Sequence, residues 1–313
     1  MIDFSYNISE KHLKSLVKID ELRVRILTAG ISPKDELRLR WEARVDRIYG
    51  AFSLSGKALS KHQITKLLQS GKSRKFNSDE QQAVDYKKAF DYLVQNWLVS
   101  PSNVSVRTIV TLRSFIGRYA GYPASRESEI KSLLEFLQSK REHSVIISGI
   151  ALIQLLAING GKPLEVKLPI LAAYLFFYKS GYDFRGLLRI EEGFLKNRGE
   201  FKEKIEATLK SHNLTIWLEF YARLISGQLE EALKDIKSLR FRLEIPSKYW
   251  EINNRQREIL TILDAPDKSI TNRKVQQLFN VSQITASRDL VGMELLGLIF
   301  VHGKGRSVYY TRV

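Results

Sequence analysis

Glycine and proline are scarce in this chain, 18 and 7 among 313 residues, and they gather at a few points instead of spreading along it. These two residues are the strongest interruptions of regular backbone. The long stretches that lack them, with apolar residues recurring at every third or fourth position, are therefore set to fold as amphipathic helices. The interruptions fall at Gly30-Ile31-Ser32-Pro33, at Ser100-Pro101-Ser102 and across residues 159–163. Between them the spacing predicts helices over 10–28, 33–49, 61–69, 78–97, 104–115, 127–138, 144–157, 164–179, 191–197, 199–211 and 215–237. A chain patterned in this way is mainly α.

Its length accommodates two or three packed units. There is no Cys, which excludes disulfides and thiolate metal sites, and the five His, at 12, 62, 143, 212 and 302, have no metal-ligand spacing, so no metal is expected. The most apolar run, residues 146–158, holds Ser148 and Gln154 and is shorter than the ~18 residues of a membrane span; it reads as a core helix, and no membrane partner is expected. The opening MIDFSYNISEK is polar and mixed, unlike a signal peptide. These features lead to the expectation of a soluble, cytoplasmic protein. The balance of 50 Lys and Arg against 34 Asp and Glu, a net charge of +16, favours polyanionic partners through counterion release.

Residues 158–167 read Ile-Asn-Gly-Gly-Lys-Pro-Leu-Glu-Val-Lys, followed by an apolar helix and then Gly181-Tyr182-Asp183-Phe184-Arg185-Gly186. This stretch resembles the signature region of Fic-domain nucleotidyltransferases, I-H-P-F-x-D-G-N-G-R, a buried helix, and G-Y-D-F-R-G. Counting back without a gap puts Asn159 on the family's His, Pro163 on its Asp and Leu164-Glu165-Val166-Lys167 on its Gly-Asn-Gly-Arg. In the family the His is the general base that activates a target hydroxyl against the α-phosphate of ATP, and the Asp helps to hold the metal ion. An amide has no basic nitrogen near neutral pH, and losing such a base costs typically ~10²–10⁴-fold in rate. The resemblance therefore implies a scaffold without a catalytic residue.

Three further points follow from the resemblance. Many Fic proteins carry an inhibitory helix, S-x-x-x-E-G, whose Glu pairs with the motif Arg; the matching residues 51–56 place Ser55 at that Glu, and Ser55 equally reads as a cap or turn before the helix from Lys61. Residues 111–123 stand where the family has a β-hairpin that grips its target, and here the segment is short. Asn213-Leu214-Thr215-Ile216-Trp217 resembles the family's D-x-T-x-W helix start. Gly160, Gly161, Lys162 and Lys167 form a candidate anion or nucleotide loop, with Pro163 opening the next helix and free backbone N–H groups at its positive end. In that arrangement ATP or another nucleotide would bind without metal, as an effector and not a substrate, and no cofactor is otherwise expected. Glu165 opposes it, and the loop also reads as a tight connection between two buried helices.

The last sixty residues read as a separate unit. Helices over 254–263, 271–279 and 282–296 precede short strands over 298–301 and 307–312. VSQITASRDLVGMELLGLI resembles the recognition helix of bacterial and archaeal winged-helix regulators. At 100° per residue Ala286, Leu290, Met293 and Gly297 form one inward stripe, leaving Ile284, Ser287, Arg288 and Val291 outward, with Ser282 as N-cap and Gln283 projecting from the helix end. Such residues read base edges: Gln283 an adenine, Arg288 a guanine, Ile284 a thymine methyl. Lys304 and Arg306 on the wing would reach a phosphate or the minor groove. Alternatively, Arg288 pairs with Asp289 or Glu294 on a solvated face and the wing binds protein.

The expected architecture is thus a Fic-like helical bundle followed by a small α+β winged-helix domain. Residues 1–60 would be N-terminal helices packed on the core, 61–238 the Fic-like domain with its motif region at 158–186, 239–253 a short aromatic linker broken by Pro246, and 254–313 the winged helix. Two functions compete. One is a homodimeric regulator that binds double-stranded DNA, its Fic-like body serving oligomerisation or ligand sensing. The other is a Fic-type adenylyltransferase of weak or altered activity, targeted by the winged helix.

Overall fold

The computed structural model describes residues 4–57, 59–69, 76–117, 122–162, 165–238, 251–263 and 268–312. Two helices form its centre, and they are apolar all round, as a fully buried helix must be. These are α7 (Ser144–Ile158) and α8 (Lys167–Lys179), packed side by side. Before them come α1 (Glu10–Leu27), α2 (Pro33–Leu54), α3 (Lys61–Gln69), α4 (Ser78–Trp97), α5 (Val106–Phe115) and α6 (Ala124–Ser139). After them come α9 (Ile190–Lys196), α10 (Arg198–Ser211) and α11 (Thr215–Ser238). Helix α11 lies along both α1 and α7, and α2 lies along α9. Among the described residues no helix is long and apolar enough to cross a membrane.

Close approach of these helices is bought by small residues. A Cβ on Gly149 would lie 2.9 Å from Tyr221 Cδ1, and the bare backbone there lets Trp217 Nε1 donate to the Gly149 carbonyl at 2.9 Å. Gly50 would collide with Glu191 Cβ at 2.7 Å, so α2 continues through it to Leu54. The expected end at residue 49 is corrected for this reason: the glycine serves packing and does not stop the helix. The start of α8 is corrected as well. Glu165 and Val166 are not helical, and Pro169, in the first turn, has no N–H to give the carbonyl four residues back. The helix therefore begins at Lys167, and Pro163, which lies with Leu164 outside the described residues, does not open it.

Gly181 to Gly186 braces α1 and α2 against the core. Phe184 and Arg185 both take left-handed backbone, at φ 48° and 55°, with Phe184 fully buried. That turn aims the Arg185 guanidinium at the Ile26 and Ala29 carbonyls, 3.2 and 2.8 Å away, and at Glu36 Oε2, 2.7 Å away. Tyr182 donates to Asp20 at 2.9 Å. The segment is thus a staple across the α1–α2 turn, which gives it a structural use independent of any chemistry at residue 159. Arg185→Ala is expected to cost about 2 kcal/mol, since it strands the Ile26 and Ala29 carbonyls in a part-buried site and leaves Glu36 with Arg40 alone. A urea midpoint within error of wild type would refute this role.

The remaining elements are α12 (Asn254–Ile262), α13 (Asn272–Phe279), α14 (Gln283–Leu295) and an antiparallel pair, β1 (Ile299–His302) and β2 (Tyr309–Arg312). They enclose a second hydrophobic cluster of their own, with Ile259, Val275, Ala286, Leu290, Met293 and Ile299 at its centre. Residues 239–250, most of the expected linker, lie outside the described residues. Contact with the first cluster is made through α14. Arg44 on α2 donates to the Leu295 carbonyl at 2.6 Å, and Leu296 packs on the larger core. Lys34 pairs with Glu251 at 2.5 Å.

Candidate functional site

Three of the residues matched to the Fic motif, Asn159, Glu165 and Lys167, meet at one cleft of about 240 Å³. Asn159 caps the end of α7, Glu165 and Lys167 come from the start of α8, Ser55 and Lys57 from the end of α2, and Arg113 from α5. Ser55 and Lys167, which the resemblance pairs as brake and partner, do line the same space, yet the hydroxyl of Ser55 is turned back on its own helix. It donates to the Ala51 carbonyl at 2.8 Å, and Ser55 is the C-cap of α2.

Both polar groups of the Asn159 side chain are committed. Nδ2 donates to the Leu155 carbonyl at 2.7 Å, and Oδ1 accepts from the Tyr122 hydroxyl at 3.1 Å. The Tyr122 ring is in turn covered by the Arg113 guanidinium, 4.1 Å from its centroid. Asn159, which the resemblance sets on the family's base, is thus a helix cap locked by hydrogen bonds. Lys167 lies 3.8 Å above the centroid of Phe52. Burial, helped by the neighbouring Lys57, pushes its amine down to about 8, while the ring face favours the cation. Lys57 is itself drawn toward Asp79 at 2.5 Å and Gln82 at 3.0 Å.

The candidate anion loop is corrected by its own hydrogen bonds. Gly160 and Gly161 adopt φ of 98° and 68°, and their amides donate to the Ala157 and Leu156 carbonyls, both at 2.9 Å. This is the left-handed closure that ends a helix, so these two N–H groups satisfy α7 instead of waiting for a phosphate. Gly160 and Lys162 are exposed, and neither they nor Gly161 line the cleft. Of the four residues only Lys167 does. No strand stands in the expected flap region among the described residues; α5 ends at Phe115, and residues 118–121 lie outside them. No group of three or more His, Asp or Glu is placed to hold a metal among the described residues.

On α14, Gln283, Ile284, Ser287 and Arg288 are all exposed, Ile284 at 71%. Ser282 caps the helix by accepting from the Thr285 amide at 3.2 Å. Ala286, Leu290 and Met293 are fully buried, as the 100° spacing predicts, whereas Val291 is half-buried and not outward. Asp289 does not pair with Arg288. It is buried, and accepts from Arg255 Nε at 2.8 Å and Asn253 Nδ2 at 2.7 Å, fastening α12 to α14. Arg288 consequently has no ion pair among the described residues. The Asn272 amide, which periodicity did not single out, donates to Ser287 Oγ at 2.8 Å and joins α13 to this face. Lys304 is exposed on the turn between the strands, and the side chain of Arg306 lies outside the described residues.

No family model and no curated protein matches the sequence. Solved structures do match. A Fic family protein from Desulfovibrio desulfuricans G20 superposes with a TM-score of 0.61 at 14% identity, covering 98% of this chain and 97% of that one. A fragment of Fic-1 from C. elegans gives 0.59 at 14% identity, covering 72% and 73%. A variant of that fragment gives 0.58 at 16%, covering 71% and 72%. At such identities the likeness is one of architecture, and it establishes that this chain has the fold of Fic family proteins.

Proposed function

We propose that the chain is a DNA-binding regulator whose Fic-fold body has lost nucleotidyl transfer and acts as the platform that presents a winged-helix reader. The observation that carries this reading is the face of α14: Gln283, Ile284, Ser287 and Arg288 project from one exposed surface, while the adjacent carboxylate, Asp289, is buried and engaged elsewhere. An unpaired Arg on the outward face of the third helix of such a unit suits a guanine edge in the major groove. Lys304 and Arg306 would add phosphate or minor-groove contacts from the hairpin, and the net charge of +16 supplies the attraction.

A regulator that reads a two-fold operator needs two copies. Leu13, Val17, Val24 and Leu27 are 40–59% exposed along one stripe of α1, which suits a homodimer contact. The reading is tested by duplex-binding isotherms with the full chain. Arg288→Ala should weaken binding by on the order of 1–3 kcal/mol and relax sequence preference, while Lys304→Ala should lower the salt slope by about 1. Binding that is equal on all sequences, or indifferent to both changes, would refute the assignment.

Loss of transfer is tested separately. Incubated with ATP and Mg²⁺, the protein should pass no AMP to itself or to other proteins, because Asn159 is a locked amide and Gly160 and Gly161 have no amide to spare. Asn159→His alone should remain inactive for the second reason. Stoichiometric labelling of the wild type that vanishes in Asn159→Ala would overturn this and favour the adenylyltransferase.

A further inference from the structure

A second cleft, of about 460 Å³, opens where α1, the junction of α9 with α10, and α11 meet, and it shares no residue with the cleft at Asn159. That volume suits a small molecule. Its lining is cationic. Glu230 and Glu231 are each held by a lysine of the same cleft, Lys18 at 2.6 Å and Lys196 at 2.8 Å. This leaves Lys11, Lys14 and Arg223 in excess. The partners of Lys14 and Arg223, Glu10 and Glu200, do not line the cleft, and Lys11 has no carboxylate partner among the described residues.

The wall between these cations is unusual for a helix. Gly227 sits in the interior of α11, where glycine is unfavourable, yet an added Cβ would meet nothing within 4 Å. Packing does not call for this glycine; a ligand lying against the bare backbone would. Its neighbours Ser226 and Gln228, 5% and 4% exposed, also line the cleft, and Ser226 Oγ and Gln228 Oε1 have no hydrogen-bond partner. The Gln228 amide donates to Glu231 at 3.2 Å, which fixes its oxygen as the unpaired end. Beneath, Gly193 lets α9 close to 2.7 Å between its Cβ position and Leu224, so the floor is firm. Both oxygens are closed off in this conformation, one on either flank of Gly227.

We propose that this cleft binds a small phosphate ester of a polyol, the phosphate held among Lys11, Lys14 and Arg223 and the polyol lying over Gly227, where the Ser226 and Gln228 side chains turn outward on binding so that its hydroxyls donate to their oxygens. Lysines engage phosphate as point charges, and hydroxyls are the donors that two buried acceptors lack. The site is independent of the DNA reading and is tested without DNA. With the full chain, 10 mM glucose 6-phosphate is expected to raise the melting temperature by about 3 °C, with glucose and inorganic phosphate each giving less than half of that. Gly227→Leu fills the cleft from a position with free space. It should melt no lower than wild type without ligand and should lose the shift; Arg223→Glu should lose it too. No shift with glucose 6-phosphate, an equal shift with inorganic phosphate, or a full shift in both variants would each overturn the proposal.

Discussion

Glu191→Ala is expected to lower stability by about 3–5 kcal/mol, a fall in melting temperature of roughly 10 °C. Glu191 is wholly buried at the heart of the helical body, where it accepts from the hydroxyls of Tyr86 and Tyr174 at 2.8 and 2.9 Å. The same site holds buried Arg47, which donates to the Leu188 and Gly186 carbonyls and lies over the rings of Phe90 and Tyr174. Removing the carboxylate leaves that cation without its counter-charge, the Tyr86 phenol without an acceptor and that of Tyr174 with only the Leu188 carbonyl at 3.1 Å, and a cavity. Burial pushes the Glu191 carboxyl up to about 6 from 4.5, against the opposing pull of Arg47 and the two phenols. A group whose folded value is raised stabilises fully below 4.5, and the contribution fades as pH rises through 6, here by about 2 kcal/mol. Glu191→Gln keeps the shape and an acceptor, so it should flatten the stability profile between pH 4.5 and 7. Chemical denaturation across that range checks both variants, and parallel profiles for wild type and Glu191→Gln would contradict the assignment.

The second large effect is expected at the contact between the body and α14. A Cβ on Gly297 would lie 2.4 Å from Arg44 Nη2, at a backbone φ of 69° that side chains resist. Gly297→Val should therefore expel Arg44 from the end of α14, leaving a half-buried guanidinium without the Leu295 carbonyl, at a cost of about 3 kcal/mol to this contact. The guanidinium is favoured there because it faces the negative end of the helix. Hydrogen exchange at the amides of Leu296 to Leu298 should quicken roughly a hundredfold, while the core amides of α7 and α8 are unaffected. Unchanged protection at residues 296–298 would mean that Arg44 does not hold α14. Arg44 lies on α2, whose C-cap Ser55 lines the Asn159 cleft, so one helix touches both the cleft and α14.

The helical plan was legible because it rests on local periodicity. Residues 61–69 and 78–97 form helices over those spans, and the buried stripe of Ala286, Leu290 and Met293 follows from 3.6 residues per turn. The motif at 181–186 pointed to the fold correctly, although its work in the structure is to tie α1 to α2 through Arg185. What escaped the sequence depends on partners far along the chain. Gly50 looked like a terminator because Glu191, which needs its missing Cβ, lies 141 positions away. Nothing local marks Arg44 among the arginines of α2, since Leu295 is 251 positions distant. Gly160 and Gly161 looked like phosphate-binding glycines because a pattern of glycines does not say where their amides point; the carbonyls of α7 claim them. Pro169 is a local signal for the start of α8, since a proline is best tolerated in a first turn.

Selection of the full chain against a pool of random duplexes tests the central claim most directly. The account predicts enrichment of one sequence, two-fold symmetric if the α1 stripe joins two copies, and loss of that enrichment in Arg288→Ala with non-specific binding kept. A pool that remains random after repeated rounds, at a salt concentration where the protein still binds DNA, would contradict the assignment of the α14 face as a reader of sequence.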